Sequence, residues 1–148
     1  MNRIMWKQPK AVVLFVLLTA YAGCRAQPEP SHPVRWAKAW IYSLNSHNQE
    51  QVVPLLAPNA TYEDPLSGGE RSGPYLVYLL MHTFHRFPHA HYELGRVTAD
   101  RDHLAVEWEA TGLSKTTNQT HLNGVFVIRL QGNAIASVRG YFDASGLR

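Results

Sequence analysis

The residues best placed to do chemistry stand in one stretch, Ala60-Thr61-Tyr62-Glu63-Asp64-Pro65, followed by Glu70-Arg71-Ser72-Gly73. Side chains alternate across a strand with period two, so Ala60, Tyr62 and Asp64 share a face. Ala60 and Tyr62 suit a core face, and Asp64 then points inward with them. Pro65 has no N–H to give a sheet ladder, so the strand stops there. A carboxylate at the last inward position of a strand, against an aromatic interior, is poorly solvated as a bare charge. That suits it to removing a proton alpha to a carbonyl, which makes Asp64 the candidate general base. The competing reading is a capping aspartate at the strand–loop junction, accepting hydrogen bonds from the backbone of residues 67–69. Tyr62 either offers its hydroxyl to a substrate oxygen or packs its ring and bonds a neighbour.

Other chemically suggestive groups carry less. His82, His85, His89 and His91 have the look of a metal cluster. However, His82 and His85 lie opposite the apolar stripe of their helix, and Pro88 breaks that helix before His89. No carboxylate sits at ligand spacing, so neither a metal nor a cofactor is expected. Glu107 and Glu109 resemble a paired-carboxylate site, but alternation sends both to the outer face of their strand. There they make cross-strand pairs or a dimer contact. Asp143, just after the last strand, is expected to fix the C-terminal turn.

The elements that position Asp64 can be taken from periodicity. Val34, Ala37, Ile41 and Leu44 follow helical spacing, flanked by Trp36 and Trp40, with Ser31 as cap and Pro33 in the first turn. Residues 49–57 read as a short second helix disturbed by Pro54, and residues 59–64 as a strand. Gly73 or Pro74 opens a third helix with Leu76, Leu80, Phe84 and Phe87 on its apolar side. From His91 the period becomes two, and residues 91–100, 104–113, 121–130 and 134–142 read as a four-strand meander with a longer connection at 114–119. The fold class expected is α+β: three N-terminal helices packed on a strongly curved, mainly antiparallel sheet, with a pocket between sheet and first helix. Its lining is expected to be Trp40, Leu56, Phe84, Val106, Trp108, Phe126, Gly140 and Phe142, enclosing a small, mostly apolar ligand beside Asp64.

Residues 1–24 read as a leader: Arg3, Lys7 and Lys10 precede the apolar run 11–21, which is too short to span a bilayer comfortably. Ala22-Gly23-Cys24 then resembles the lipobox of bacterial lipoproteins, whose cysteine is acylated and becomes the first residue. Alternatively, Ala20-Tyr21-Ala22 serves an ordinary signal peptidase and the domain is secreted. Residues 25–33 are a Pro-rich linker and residues 34–148 one domain. Of 14 basic residues three lie in the leader, leaving 11 against 11 acidic. That balance lacks the clustered basic face of a nucleic-acid binder, and membrane contact is expected only through a lipid on Cys24. Cys24 is the single cysteine, so no intramolecular disulfide can form and the core alone must hold the domain.

The layout from about Val34 onward resembles the NTF2-like superfamily, and within it the SnoaL-like and ketosteroid-isomerase-like group. The resemblance rests on residues 60–65, Glu70-Arg71-Ser72-Gly73, Phe87-Pro88, Val106-Glu107-Trp108, Gln131-Gly132-Asn133-Ala134-Ile135 and Tyr141-Phe142-Asp143. It implies a cone-shaped α+β fold that hosts isomerases, cyclases, hydrolases and many non-enzymes. In ketosteroid isomerases the aspartate of the Glu-Asp-Pro segment is the general base, and Asp64 matches it. Their oxyanion-hole tyrosine and protonated aspartate fall on Trp40 and Phe126, and neither can play the same part. The limonene-epoxide-hydrolase triad falls on Gly140, Trp108 and Ala110, which excludes that chemistry, though its water-positioning pair falls on Tyr62 and Asp64. SnoaL-type cyclases pair an acid/base aspartate with a histidine, and no histidine here is singled out by spacing. The implied activity is cofactor-free proton transfer of the isomerase or cyclase kind. The rivals are a non-catalytic ligand-binding module and an envelope lipoprotein that dimerises through its outer sheet face.

Overall fold

The computed structural model describes residues 32–113 and 121–147. The leader, Cys24, the cap at Ser31 and the connection at 114–119 lie outside them.

Helix α1 (His32–Asn45) takes Pro33 in its first turn, where a missing N–H costs nothing. It buries Trp36, Ala37, Trp40, Ile41 and Leu44 against the strands β3 (His91–Asp100) and β4 (His103–Thr111). The expected stripe is therefore the packed face. Its C-terminus is clipped to β3 by one side chain: Asn45 Nδ2 donates to Tyr92 O, and Tyr92 N donates to Asn45 Oδ1, both at 2.8 Å. His47, with φ of 49°, then turns the chain away from the helix.

The expected second helix is much shorter. Helix α2 covers only Gln49–Val52, and a 3₁₀ turn, Val53–Leu55, carries Pro54 near its start. Leu56 and Ala57 already belong to β1 (Leu56–Glu63), whose first residue pairs with Ile135. Pairing to a distant strand has overridden the local helical pattern. Strand β1 also ends one residue earlier than expected, so Asp64 stands just past it. A two-residue strand β2 (Arg71–Ser72), which the sequence did not signal, pairs antiparallel with β1. Helix α3 (Gly73–Arg86) follows and buries Leu76, Leu80 and Phe84; Phe87 caps its end and is buried in the same core.

Strands β3, β4, β5 (Leu122–Gln131) and β6 (Ala134–Phe142) form the expected meander. The full order is β2-β1-β6-β5-β4-β3. All neighbours are antiparallel except β1 and β6, which run parallel with Tyr62 opposite Val138. The sheet is thus mixed, six-stranded and curved, with three helices, and the α+β class holds. Face alternation came out as read. On β4 Leu104, Val106, Trp108 and Ala110 are buried while Glu107 and Glu109 are exposed. On β5 Phe126, Ile128 and Leu130 are buried. Trp40, Val52, Val106, Ile128 and Ile135 form the fully enclosed centre. Among the described residues no helix is long and apolar enough to cross a membrane.

Candidate ligand site

The candidate site is built on a turn. Asp64 Oδ1 accepts from the backbone N–H of Leu66 at 2.8 Å and of Ser67 at 2.7 Å. This is the side chain–backbone pattern that lets aspartate initiate a turn. Ser67, 5% exposed, is satisfied within the same turn: Asp64 N donates to its Oγ at 3.0 Å, and Gly69 O accepts from Oγ at 2.8 Å. The capping role considered for Asp64 is therefore present. The other oxygen is used differently. Tyr62 Oη donates to Asp64 Oδ2 at 2.8 Å, so Oδ2 carries one donor and Oδ1 two. Gly140 on β6 makes room behind the pair, since a Cβ there would stand 3.1 Å from Asp64 Cβ.

Tyr62 and Asp64 share the wall of one cavity of about 30 Å³. Of the expected lining residues, Phe84, Trp108, Phe126 and Phe142 surround it. Trp40, Leu56, Val106 and Gly140 do not line it. Trp40 and Val106 are fully buried one layer deeper, Leu56 packs beside the core, and Gly140 touches Asp64 from behind. About 30 Å³ is room for one or two waters, so the cup is largely filled by its own side chains. Rings meet edge to face or stacked across it: Tyr92 and Trp108 at 5.4 Å, Trp108 and Phe126 at 5.1 Å, Trp108 and Phe142 at 5.6 Å.

Ten of the lining residues were outside the expected set, and three of them bear on the chemistry of the cavity. Tyr92 faces inward beside Trp108 because β3 alternates, yet its strand carried no chemical motif. His47 follows the first helix in sequence, but its Nε2 reaches Ala90 O at 2.9 Å and its ring stacks on Phe84. A carbonyl only accepts, so Nε2 carries the proton. The structure thereby brings a histidine and Asp64 to one cavity, a pairing that spacing could not reveal. Leu147 arrives from the C-terminal 3₁₀ turn, Ser145–Leu147. The four exposed histidines 82, 85, 89 and 91 stay on the surface, and among the described residues no group of three His, Cys, Asp or Glu is placed to hold a metal ion. Asp143 does fix the last turn: its Oδ1 accepts from Ser145 N at 2.9 Å, and that bond holds its carboxyl below the ordinary value.

Burial, then the charge of Asp64, pushes the Tyr62 hydroxyl well above its ordinary pKa, and the same two causes act on Tyr92. A raised folded value means the ring's stabilising contribution is complete below about 10, its unfolded value, and is lost as pH rises beyond that. Each ring should remove about 1.4 kcal/mol per pH unit in that window. Urea unfolding at pH 9 and 11 measures the slope. Tyr92→Phe should halve it, and an unchanged slope would mean that the Tyr92 hydroxyl is hydrated and contributes none of it.

The family model described as SnoaL-like domain matches residues 37–138. A search of curated proteins finds no match. Among solved structures, a hypothetical protein with a ketosteroid-isomerase-like fold from Catenulispora acidiphila DSM 44928, in complex with trimethylamine, is 20% identical with a TM-score of 0.69, covering 76% of this chain and 88% of that one. A provisionally named SnoaL-like polyketide cyclase from Jannaschia sp. CCS1 is 12% identical with a TM-score of 0.67, covering 82% and 94%. An NTF2-like protein of unknown function from Cytophaga hutchinsonii ATCC 33406 is 16% identical with a TM-score of 0.63, covering 82% and 98%. At these identities the likeness carries the fold alone.

Proposed function

Starting from the premise that this chain belongs to the SnoaL-like domain family, we propose that it binds a small, mostly apolar carbonyl compound in the cup and moves a proton on it with Asp64 as general base. The observation that carries this reading is the division of labour on one carboxylate. Oδ1 is fixed by two backbone N–H groups, while Oδ2 holds a single tyrosine donor at a wall that is mostly apolar, with His47, Thr83 and Tyr92 as its other polar residues. Oδ2 is the atom that would take the proton. Orientation is then set before the ligand arrives, which is where much of the advantage of a positioned base lies. An enolate formed this way needs a donor. The matched positions Trp40 and Phe126 supply none to the cavity, and the Tyr92 hydroxyl, held in the field of Asp64, is the candidate substitute.

The domain would work outside the cytoplasm, in the periplasm and held to a membrane through acylated Cys24, or secreted if the leader is cut earlier. A homodimer through the outer sheet face, where Glu107 and Glu109 are exposed, completes the proposal. A second reading, ligand binding without chemistry, is favoured by the turn-forming role of Asp64: a residue needed for the loop does not also have to react. It admits apolar or weakly basic ligands, of which the trimethylamine held by the Catenulispora relative is an example.

Asp64→Asn separates the two. Asparagine keeps an oxygen for the Leu66 and Ser67 N–H groups, so the turn survives and stability falls by no more than about 1 kcal/mol. Turnover of an enone or β-keto compound should drop tenfold or more while the compound still binds. Turnover unaffected by the change would remove Asp64 as base. Binding with no turnover in either protein would leave the non-catalytic reading.

A further inference from the structure

One of the side chains that line the small cavity comes from outside the sheet and the long helices. Leu147 lines it and is only 6% exposed, in the company of Phe84, Phe87 and Leu113. Yet Leu147 belongs to no strand or long helix. It ends a turn of three residues, Ser145–Leu147, with Leu147 N donating to Ala144 O at 3.0 Å. Among the described residues, the turn is tied to the helical side of the cup by one long-range hydrogen bond, from Arg86 Nη2 to Leu147 O at 2.8 Å. Arg86 also lies over the Phe87 ring, 5.1 Å from its centre, and its Nε is buried with no hydrogen-bond partner among the described residues.

A leucine side chain in a mostly apolar cup, on a short turn that Asp143 starts and that Arg86 latches to the helical side, has the features of an occupant rather than a wall. We infer that Leu147 fills a subsite for the ligand's apolar end, of the size of an isobutyl to phenyl group, and that ligand entry exchanges the Leu147 side chain for that group once the Arg86 latch opens. The inference deepens the proposed function and rests on the same cup. The energetic logic is an exchange of like for like. The ligand's apolar group gains the burial that Leu147 gives up, so entry costs chiefly the latch and the Leu147–Ala144 turn. Short-turn elements with few buried contacts are the ones that open locally at least cost. The Arg86 Nε, buried without an acceptor among the described residues, lowers the cost of opening further, because release returns it to water.

Benzene is the probe, added to the full chain and followed by NMR at the Trp108 and Phe126 rings. Wild type should bind weakly and slowly. Arg86→Met, which keeps Leu147 but removes the latch, should raise the entry rate tenfold or more. Leu147→Ala should tighten binding tenfold or more. Ile128→Ala, a core position away from the lining, controls for cavities that any deletion creates and should leave the Trp108 and Phe126 response as in wild type. Equal entry rates in wild type and Arg86→Met overturn the inference, as does a tightening in Ile128→Ala equal to that in Leu147→Ala. Should Leu147→Ala fail to fold, Arg86→Met decides alone. Benzene entry reads the Arg86 latch and involves no proton transfer, so the subsite can stand while the proton-transfer reading falls, and the reverse.

Discussion

Gly112→Ala is expected to destabilise the domain by about 2–5 kcal/mol, a large share of the 5–15 kcal/mol typical of a folded domain. Two separate costs converge there. Gly112 has φ of 73°, a left-handed conformation that costs an L residue about 1–2 kcal/mol. A Cβ at that position would also run into the carbonyl of His89, and a backbone carbonyl cannot swing aside as a side-chain tip can. Forcing the α3–β3 connection outward adds about 1–3 kcal/mol of overpacking. The damage would reach the site, because Leu113 and Ala90, the neighbours of this contact, both line the cavity. Urea unfolding followed by tryptophan fluorescence measures the effect. A loss under about 1 kcal/mol would mean that the chain at 112 yields freely.

The second large effect is expected at Trp40, which is completely buried and meets Phe126 edge-on at 6.1 Å and Tyr62 at 6.4 Å. Trp40→Ala removes the largest ring at the base of the cup and should cost about 3–5 kcal/mol. Trp40→Phe should behave quite differently. The indole Nε1 is buried without an acceptor among the described residues, which itself costs about 1–3 kcal/mol. Phenylalanine gives up part of the ring area but also relieves that penalty, so the net change should stay within about 1.5 kcal/mol. Equal losses in the two variants would show that the indole nitrogen is hydrated or paired in solution. Because Trp40 packs on Tyr62, the alanine variant should also loosen the Tyr62–Asp64 bond, visible as broadening of the Tyr62 ring signals.

What could be read from the sequence was what local alternation controls. Leu104, Val106, Trp108 and Ala110 against Glu107 and Glu109 left one assignment of faces, and the inward pair Ala60 and Tyr62 followed from the same rule. Asp64 was found for a reason only half right. It does reach the cavity, but from a turn it organises itself rather than from the last strand position, because Leu66 and Ser67 N–H groups claim its Oδ1. The residues that were missed depend on distant partners. Leu56 and Ala57 look helical until Ile135 is beside them. Tyr92, His47 and Leu147 have no motif around them and reach the cup only through the sheet, the turn after α1 and the latch to Arg86. Trp40 and Val106 were correctly placed inside, but alternation cannot tell a cavity wall from the layer behind it.

The parallel pairing of β1 with β6 has a kinetic consequence. Tyr62 lies against Val138 and Glu63 against Arg139, so the strand leading into Asp64 has its main neighbour near the far end of the chain. The meander β3–β6 can form from contacts close in sequence, and loop closure makes such contacts fast. Strand β1 has only the two-residue β2 as a local partner and must wait for β6 to be made and docked before its other edge is paired, and the floor beneath Asp64, at Gly140, arrives with β6. The Tyr62–Asp64 pair should therefore be among the last features to become native. A chain emerging from its N-terminus would carry an unmatched β1 edge, open to other strands, until β6 has been released.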